Sequence, residues 1–210
     1  MTLIDSPQPA AEAPLPDGPL AYAVHALGDA LDGLTTTADV GTVSALGPHG
    51  AIAFARQYEQ LRHRMAIVDH PVAGAFDETR VAQLSTLRNT TTALAEALHL
   101  SRGEAHNRVT AAAALASRST LTGAPMPPLR AHLAAQQHAG RASAAQASVI
   151  ISALHHLDGA PGVSTLDVEE AETELSAHAA APAPADPRKA AEAPDRPPRP
   201  RRPRATRRPP

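Results

Sequence analysis

Ala93-Leu94-Ala95-Glu96-Ala97-Leu98-His99-Leu100-Ser101-Arg102-Gly103-Glu104-Ala105-His106-Asn107-Arg108-Val109 is the stretch on which the fold turns. Ser101-Arg102-Gly103-Glu104 matches a capping box, in which the serine hydroxyl accepts from the N3 amide and the glutamate side chain reaches back to the serine amide. A helix is therefore expected to start at Ser101 and run to about Ala116, with Ala105, Val109 and Ala112 inward. A helix over Thr92 to Leu98 precedes it, and His99-Leu100 is the turn between the two. A small residue at the crossing (Ala95) and apolar residues to lock it (Leu94, Leu98, Leu100) complete the pattern of a helix-turn-helix over residues 92–116. Its outward set is Arg102, His106, Asn107 and Arg108; arginine and asparagine are shaped for bidentate contact with guanine and adenine. Two features pull the other way. His99 stands where such turns usually carry glycine, and Glu104 sets a negative charge on the face that would meet phosphate. Two neighbouring core helices of any bundle give the same local pattern, so the motif needs its structural context.

Helical signals continue on both sides. Toward the C-terminus, Pro127-Pro128 suits a helix's first turn, with Leu129 and Leu133 inward and Gly140 as the stop. Ser143-Ala144-Ala145-Gln146 repeats the capping box and opens a helix whose residues Ala147, Ile150, Ile151, Leu154 and Leu157 form the most hydrophobic stripe of the chain, which marks it as central. After a turn over Gly159 to Gly162, Ser164 with Asp167 starts a last helix, with Val168, Ala171 and Leu175 inward. Toward the N-terminus, Leu20, Val24, Leu27, Leu31 and Leu34 recur at helical spacing. Thr35 to Gly50 reads as a connection. A helix follows over Ala51 to Val68, with Ile52, Ala55, Leu61, Met65 and Val68 inward, and His70-Pro71 ends it. Asp77 is the expected N-cap of a further helix carrying Val81, Leu84 and Leu87, which either continues through Leu98 or breaks near Asn89. No segment alternates like a strand. The expectation is an all-α, irregular bundle of about six to seven helices.

Both ends have a composition that buries too little apolar surface to offset ordering. Residues 1–19 are rich in proline, and residues 181–210 pass from Ala-Pro to Pro-Arg; both are expected to be disordered, leaving residues 20–180 as the helical domain. The formal charge of −2 hides an asymmetry, for the last thirty residues hold nine Lys/Arg against three Asp/Glu, a net +6 against −8 elsewhere. Arg199, Arg201, Arg202, Arg204, Arg207 and Arg208 of this tail are candidate phosphate contacts that act by counterion release. A solubilising tail is the plain alternative. With two Phe, two Tyr and no Trp, the core rests on Leu, Val, Ile and much Ala, and is thin. Marginal stability, or help from self-association or a protein partner, follows.

Several classes of chemistry lack their residues. There is no cysteine, hence no disulfide, thiolate or cysteine-held metal. The start has no basic segment followed by an apolar run, and no stretch reaches the ~18 apolar residues of a membrane span, so a soluble cytoplasmic protein is expected. No phosphate-binding, dinucleotide or nucleophile-elbow glycine motif occurs. Eleven histidines show no pair at ligand spacing, so no metal and no cofactor is expected; His155-His156 diverge by about 100° and sit favourably at a helix C-terminus. Glu169, Glu170, Glu172 and Glu174 read as a solvated acidic face.

From Leu94 to Ala180 the chain resembles the actinobacterial Domain of Unknown Function 222, also called the 13E12 repeat family. The resemblance rests on Leu98-His99-Leu100-Ser101-Arg102-Gly103-Glu104-Ala105, Ala112 to Leu115, Leu121-Thr122-Gly123-Ala124-Pro125-Met126-Pro127-Pro128, Ala139-Gly140-Arg141-Ala142-Ser143 and the Ile150-Ile151 helix. It implies a helical domain of the kind that commonly precedes an HNH nuclease domain, with DNA as partner. No His-His…Asn…His arrangement follows the last helix, and His155-His156 lies inside the helical part. The expectation is thus a non-catalytic, DNA-associated helical module, stand-alone or truncated; the alternative is a helical protein-interaction or assembly domain, or a truncated nuclease remnant without DNA binding.

Overall fold

A helix starts where a short polar side chain takes up amides that have no partner in the preceding turn. Asp39, Asn89, Ser101, Ser143 and Ser164 do this here, and their spacing sets the architecture. A computed structural model describes residues 15–78 and 89–180. Among them the elements are α1 (Pro19–Thr37), α2 (Val40–Ala45), α3 (Gly47–Met65), α4 (Asp69–Glu78), α5 (Thr90–Ala97), α6 (Arg102–Leu115), β1 (Arg118–Ser119), β2 (Pro125–Met126), α7 (Ala131–His138), α8 (Ala144–Asp158) and α9 (Thr165–Ala180). The fold is all-α. Its nine described helices exceed the six or seven expected, and one two-residue hairpin joins Arg118 to Met126 and Ser119 to Pro125. The helix expected over Val81, Leu84 and Leu87 and the tail arginines Arg199 to Arg208 lie outside the described residues. Two compact units divide between Glu59 and Gln60.

In the N-terminal unit, α1 forms as its apolar period requires. Leu20, Val24, Leu27 and Leu31 are nonetheless exposed, Leu20 by 68%. The segment read as a connection contains α2, because Asp39 Oδ1 accepts from the Thr42 amide at 2.7 Å while Thr42 Oγ1 accepts from the Asp39 amide at 3.0 Å. The Thr42 amide, and after it the Thr42 hydroxyl, hold the Asp39 carboxyl below its ordinary pKa. On α3, Phe54 and Tyr58 stack with ring centroids 6.3 Å apart.

The second unit corrects several expectations. Ile52 and Ala55 before it, and Leu61, Met65 and Val68 within it, face solvent, not the core. His70-Pro71 does not end a helix; it lies in the first turn of α4, where proline's missing amide leaves no bond unmade. Asp77 lies inside α4, and the helix it was expected to open lies outside the described residues; Asn89 caps α5, with Oδ1 2.8 Å from the Thr92 amide. Leu129 and Leu175 are exposed too.

The core has two clusters. Ala73, Leu94, Ala105 and Ala112 join α4, α5 and α6, with Phe76, Leu100 and Val109 packed against them. Ala114, Leu115, Leu133, Ala147, Ile150, Ile151, Leu154 and Val168 join the end of α6 to α7, α8 and α9. Helix α6 therefore belongs to both. Its inward side chains are nearly all alanine, which is why four helices can crowd around it.

Helix ends tie the second cluster together. Helix α7 has no capping side chain of its own at Arg130. Its His132 and Leu133 amides instead donate to Glu172 Oε1 on α9, at 2.9 and 3.3 Å. Glu172 is thus not part of a solvated acidic face: 3% exposed, it is an N-cap supplied by another helix. Gln146 completes the Ser143 capping box through Oε1 and donates from Nε2 to the Ala179 carbonyl, which joins the start of α8 to the end of α9. At the end of α7, Gly140 adopts φ +71°, and a Cβ there would lie 2.7 Å from the Gln60 carbonyl oxygen.

Glu172→Ala should lower the unfolding free energy by about 1–3 kcal/mol, since it leaves the buried Leu133 amide and the part-buried His132 amide without their acceptor. Glu170→Ala, on the exposed side of the same helix, should change it by less than about 0.5 kcal/mol. Urea unfolding of both variants measures the difference; equal effects would refute the capping role.

Candidate nucleic-acid interface

Helix α5 ends in a left-handed turn. His99, at φ +53°, is the one described residue other than glycine with positive φ. The Leu100 amide donates to the Ala95 carbonyl at 2.9 Å and the His99 amide to the Glu96 carbonyl at 3.4 Å, the bond pattern of a helix closed by a left-handed residue. Leu100 then folds back onto the α5–α6 cluster, and Ser101 opens α6 two residues after the turn. A residue type uncommon in this conformation thus occupies the position that glycine usually fills.

The Ser101 hydroxyl accepts from the Glu104 amide at 3.1 Å. The expected return bond is replaced: Glu104 Oε1 accepts from Arg108 Nε at 2.9 Å, while Arg108 Nη1 donates to Asp69 Oδ1 on α4 at 3.0 Å. Arginine four residues on outcompetes the serine amide for that carboxylate because it brings a charge. Burial pushes the Asp69 carboxyl above its ordinary pKa, outweighing the pull of Arg108 and His70, and Glu104 adds to the rise.

The four residues singled out from sequence therefore divide. Arg102, His106 and Asn107 are exposed, and none has a side-chain hydrogen bond or ion pair among the described residues. Arg108 is half-buried and engaged by two carboxylates. Arg102 and His106 flank the inward Ala105 and Val109 at three- and four-residue spacing, at the edge of the buried face, and Asn107 lies roughly opposite Ala105.

A cavity of about 290 Å³ lies beside the Asp69–Arg108 pair, lined also by His70, Asn107, Ala144 and Ser148. His70, read from sequence only as a helix end, is buried: its Nε2 donates to Gln137 Oε1 at 2.8 Å, and its Nδ1 has no partner among the described residues. One sequence signal pointed there, for Gln137 follows Leu133 by four residues on α7 and so shares its inward side. His155 and His156 are exposed near the end of α8. No group of three or more His, Asp or Glu is placed to hold a metal ion, and no helix is long and apolar enough to cross a membrane, among the described residues.

The family model described as "Domain of unknown function (DUF222)" matches residues 52–209. A protein of Mycobacterium tuberculosis (strain CDC 1551 / Oshkosh), described as uncharacterized, is 39% identical over 122 residues, 58% of this chain and 26% of the relative. Another, from strain ATCC 25618 / H37Rv and also described as uncharacterized, is 31% identical over 138 residues, 66% of this chain and 30% of the relative. The chain thus spans between a quarter and a third of the length of these curated relatives. No solved structure matches it.

His99→Gly should stabilise the protein by about 0.5–1 kcal/mol, because the side-chain penalty of the left-handed conformation, ~1–2 kcal/mol, exceeds the entropy glycine adds to the unfolded chain. Thermal and urea unfolding check this. A destabilised variant would mean that the imidazole contributes a contact larger than the strain it imposes.

Proposed function

This chain belongs to the family described as "Domain of unknown function (DUF222)", and on that premise we propose that it is a non-catalytic, DNA-associated helical module of the kind that accompanies HNH nucleases. The observation that carries the reading is the start of α6, where Arg102, His106 and Asn107 project from a capped helix set by a tight turn against α5. Guanidinium and amide groups there are free to meet base edges, and the positive end of the helix dipole favours phosphate. Arg108 acts differently from the expected contact: held by Asp69 and Glu104, it orients α6 on α4. The tail arginines Arg199, Arg201, Arg202, Arg204, Arg207 and Arg208 add sequence-blind attraction that weakens with salt.

A gel-shift titration of the full chain with duplex DNA at low salt tests the reading. Binding should weaken by about 1–3 kcal/mol, roughly 5- to 150-fold, in the Arg102→Ala/Asn107→Ala variant. Deleting residues 181–210 should flatten the salt dependence and spare any sequence preference. Absence of binding by the full chain, or binding that depends on the tail alone, overturns it.

A second reading has its own observation. Leu20, Val24, Leu27 and Leu31 are exposed at the alternating four- and three-residue spacing of a coiled-coil seam, and small residues (Ala23, Gly28, Ala30) flank it. A stripe of this spacing fits the same stripe on a second copy of the chain, and α1 lies outside the part that the family model matches. Sedimentation velocity at rising concentration should show a dimer, and Leu27→Asp should return it to monomer. A monomer at every concentration ends this reading.

A further inference from the structure

Two clefts flank α6, and they differ in chemistry. The one beside α4 holds Asp69 and Glu104 and uses them on Arg108. The other, of about 530 Å³, is formed by α6, α8 and the Leu129–Arg130 segment that leads into α7. No carboxylate among the described residues lines it, in a part of the chain whose acids outnumber its bases. Its floor is apolar, from Ala114 and Ile151, and each of its polar side chains can donate a hydrogen bond.

Those donors share a further property. Arg130 is half-buried, yet its side chain makes no hydrogen bond or ion pair among the described residues. Only its backbone amide is used, donating to the Ala114 carbonyl at 2.9 Å. Ser148, Ser152 and Thr110 likewise show no side-chain bond, although serine and threonine inside helices often bond back to the preceding turn. Ser148, Ser152 and His155 follow one another at four- and three-residue steps, so they form a row along one face of α8 of about 10 Å. That is the axial rise of roughly three nucleotides of one DNA strand at ~3.4 Å each. His106 and Asn107 line the same cleft from α6.

We propose that this cleft is a phosphate-binding site that holds the sugar–phosphate backbone of the strand α6 contacts. Arg130 is its main anion ligand, and the Ser148 and Ser152 hydroxyls and the His155 imidazole donate along the row. The inference rests on the DNA reading above and adds to it: α6 reads from its exposed first turns, and its neighbour α8 fixes the strand. His106 and Asn107 join the two surfaces. The same chemistry would accept the phosphate of a free nucleotide, which is the competing source.

The test uses the full chain and the variants Arg130→Gln and His155→Ala, with unfolding midpoints measured to show that both fold. Duplex affinity at low salt should fall several-fold in each, and the salt slope should drop by about one in Arg130→Gln, with sequence preference unchanged. Unchanged affinity and slope in both variants, while Arg102→Ala/Asn107→Ala still weakens binding, overturns the cleft and leaves the DNA reading standing. Should the wild-type chain bind no duplex, that reading and the strand as occupant fall together. An NMR titration with inorganic phosphate and with a mononucleotide then decides the cleft itself. Shifts confined to Arg130, Ser148, Ser152 and His155 support a phosphate site filled by a free ligand, and no shifts at these residues overturn the site.

Discussion

The fold depends on one helix that is small on its buried sides. Ala105 and Ala112 of α6 belong to the cluster shared with α4 and α5, and Ala114 and Leu115 to the cluster shared with α7, α8 and α9. A chain with so few aromatic residues cannot close a core around large side chains, so it closes by bringing helix backbones together. Alanine permits the approach but contributes little area, at roughly 25 cal/mol per Å². Directional bonds at helix ends then matter more than in a leucine-rich bundle. Glu172 capping α7 and Gln146 joining α8 to α9 are bonds of this kind, and both connect segments more than thirty residues apart in sequence.

The same constraint shapes the candidate interface. Because α6 is packed on two sides, its remaining surface is limited to the first turns and the strip facing the α8 cleft. Arg108 lies at the edge of that surface and is drawn into the α4 contact by Asp69. Discounted for the solvent that still reaches it, a half-buried pair of this sort contributes on the order of 1 kcal/mol, so its effect is on orientation more than on stability. Arg102, His106 and Asn107 are left as the groups without a local task.

What was legible in the sequence was local. Ser101, Ser143 and Ser164 announced helix starts through side-chain-to-amide bonds within four residues, and the structure has all three. Gly140 announced a helix end by an equally local route, the left-handed conformation that glycine adopts freely. What was missed is non-local or hidden by alanine. Glu172 looked like one of four surface acids because the amides it caps are about forty residues away. His70 looked ordinary because Gln137 is sixty-seven residues away. Leu20 and Leu61 have the spacing of inward residues yet face solvent, while α6, with alanine on nearly every side, shows no stripe and is the true centre. The most hydrophobic helix, α8, serves one cluster only.

Native-state hydrogen exchange, resolved by residue, tests the central role of α6 most directly. If α6 is the shared wall, its amides from Val109 to Leu115 are the slowest to exchange, and those of α4, α5, α7 and α8 open together with them in one cooperative step. Separate opening of the α4–α5 end ahead of α6, with α8 as the most protected helix, would contradict the account.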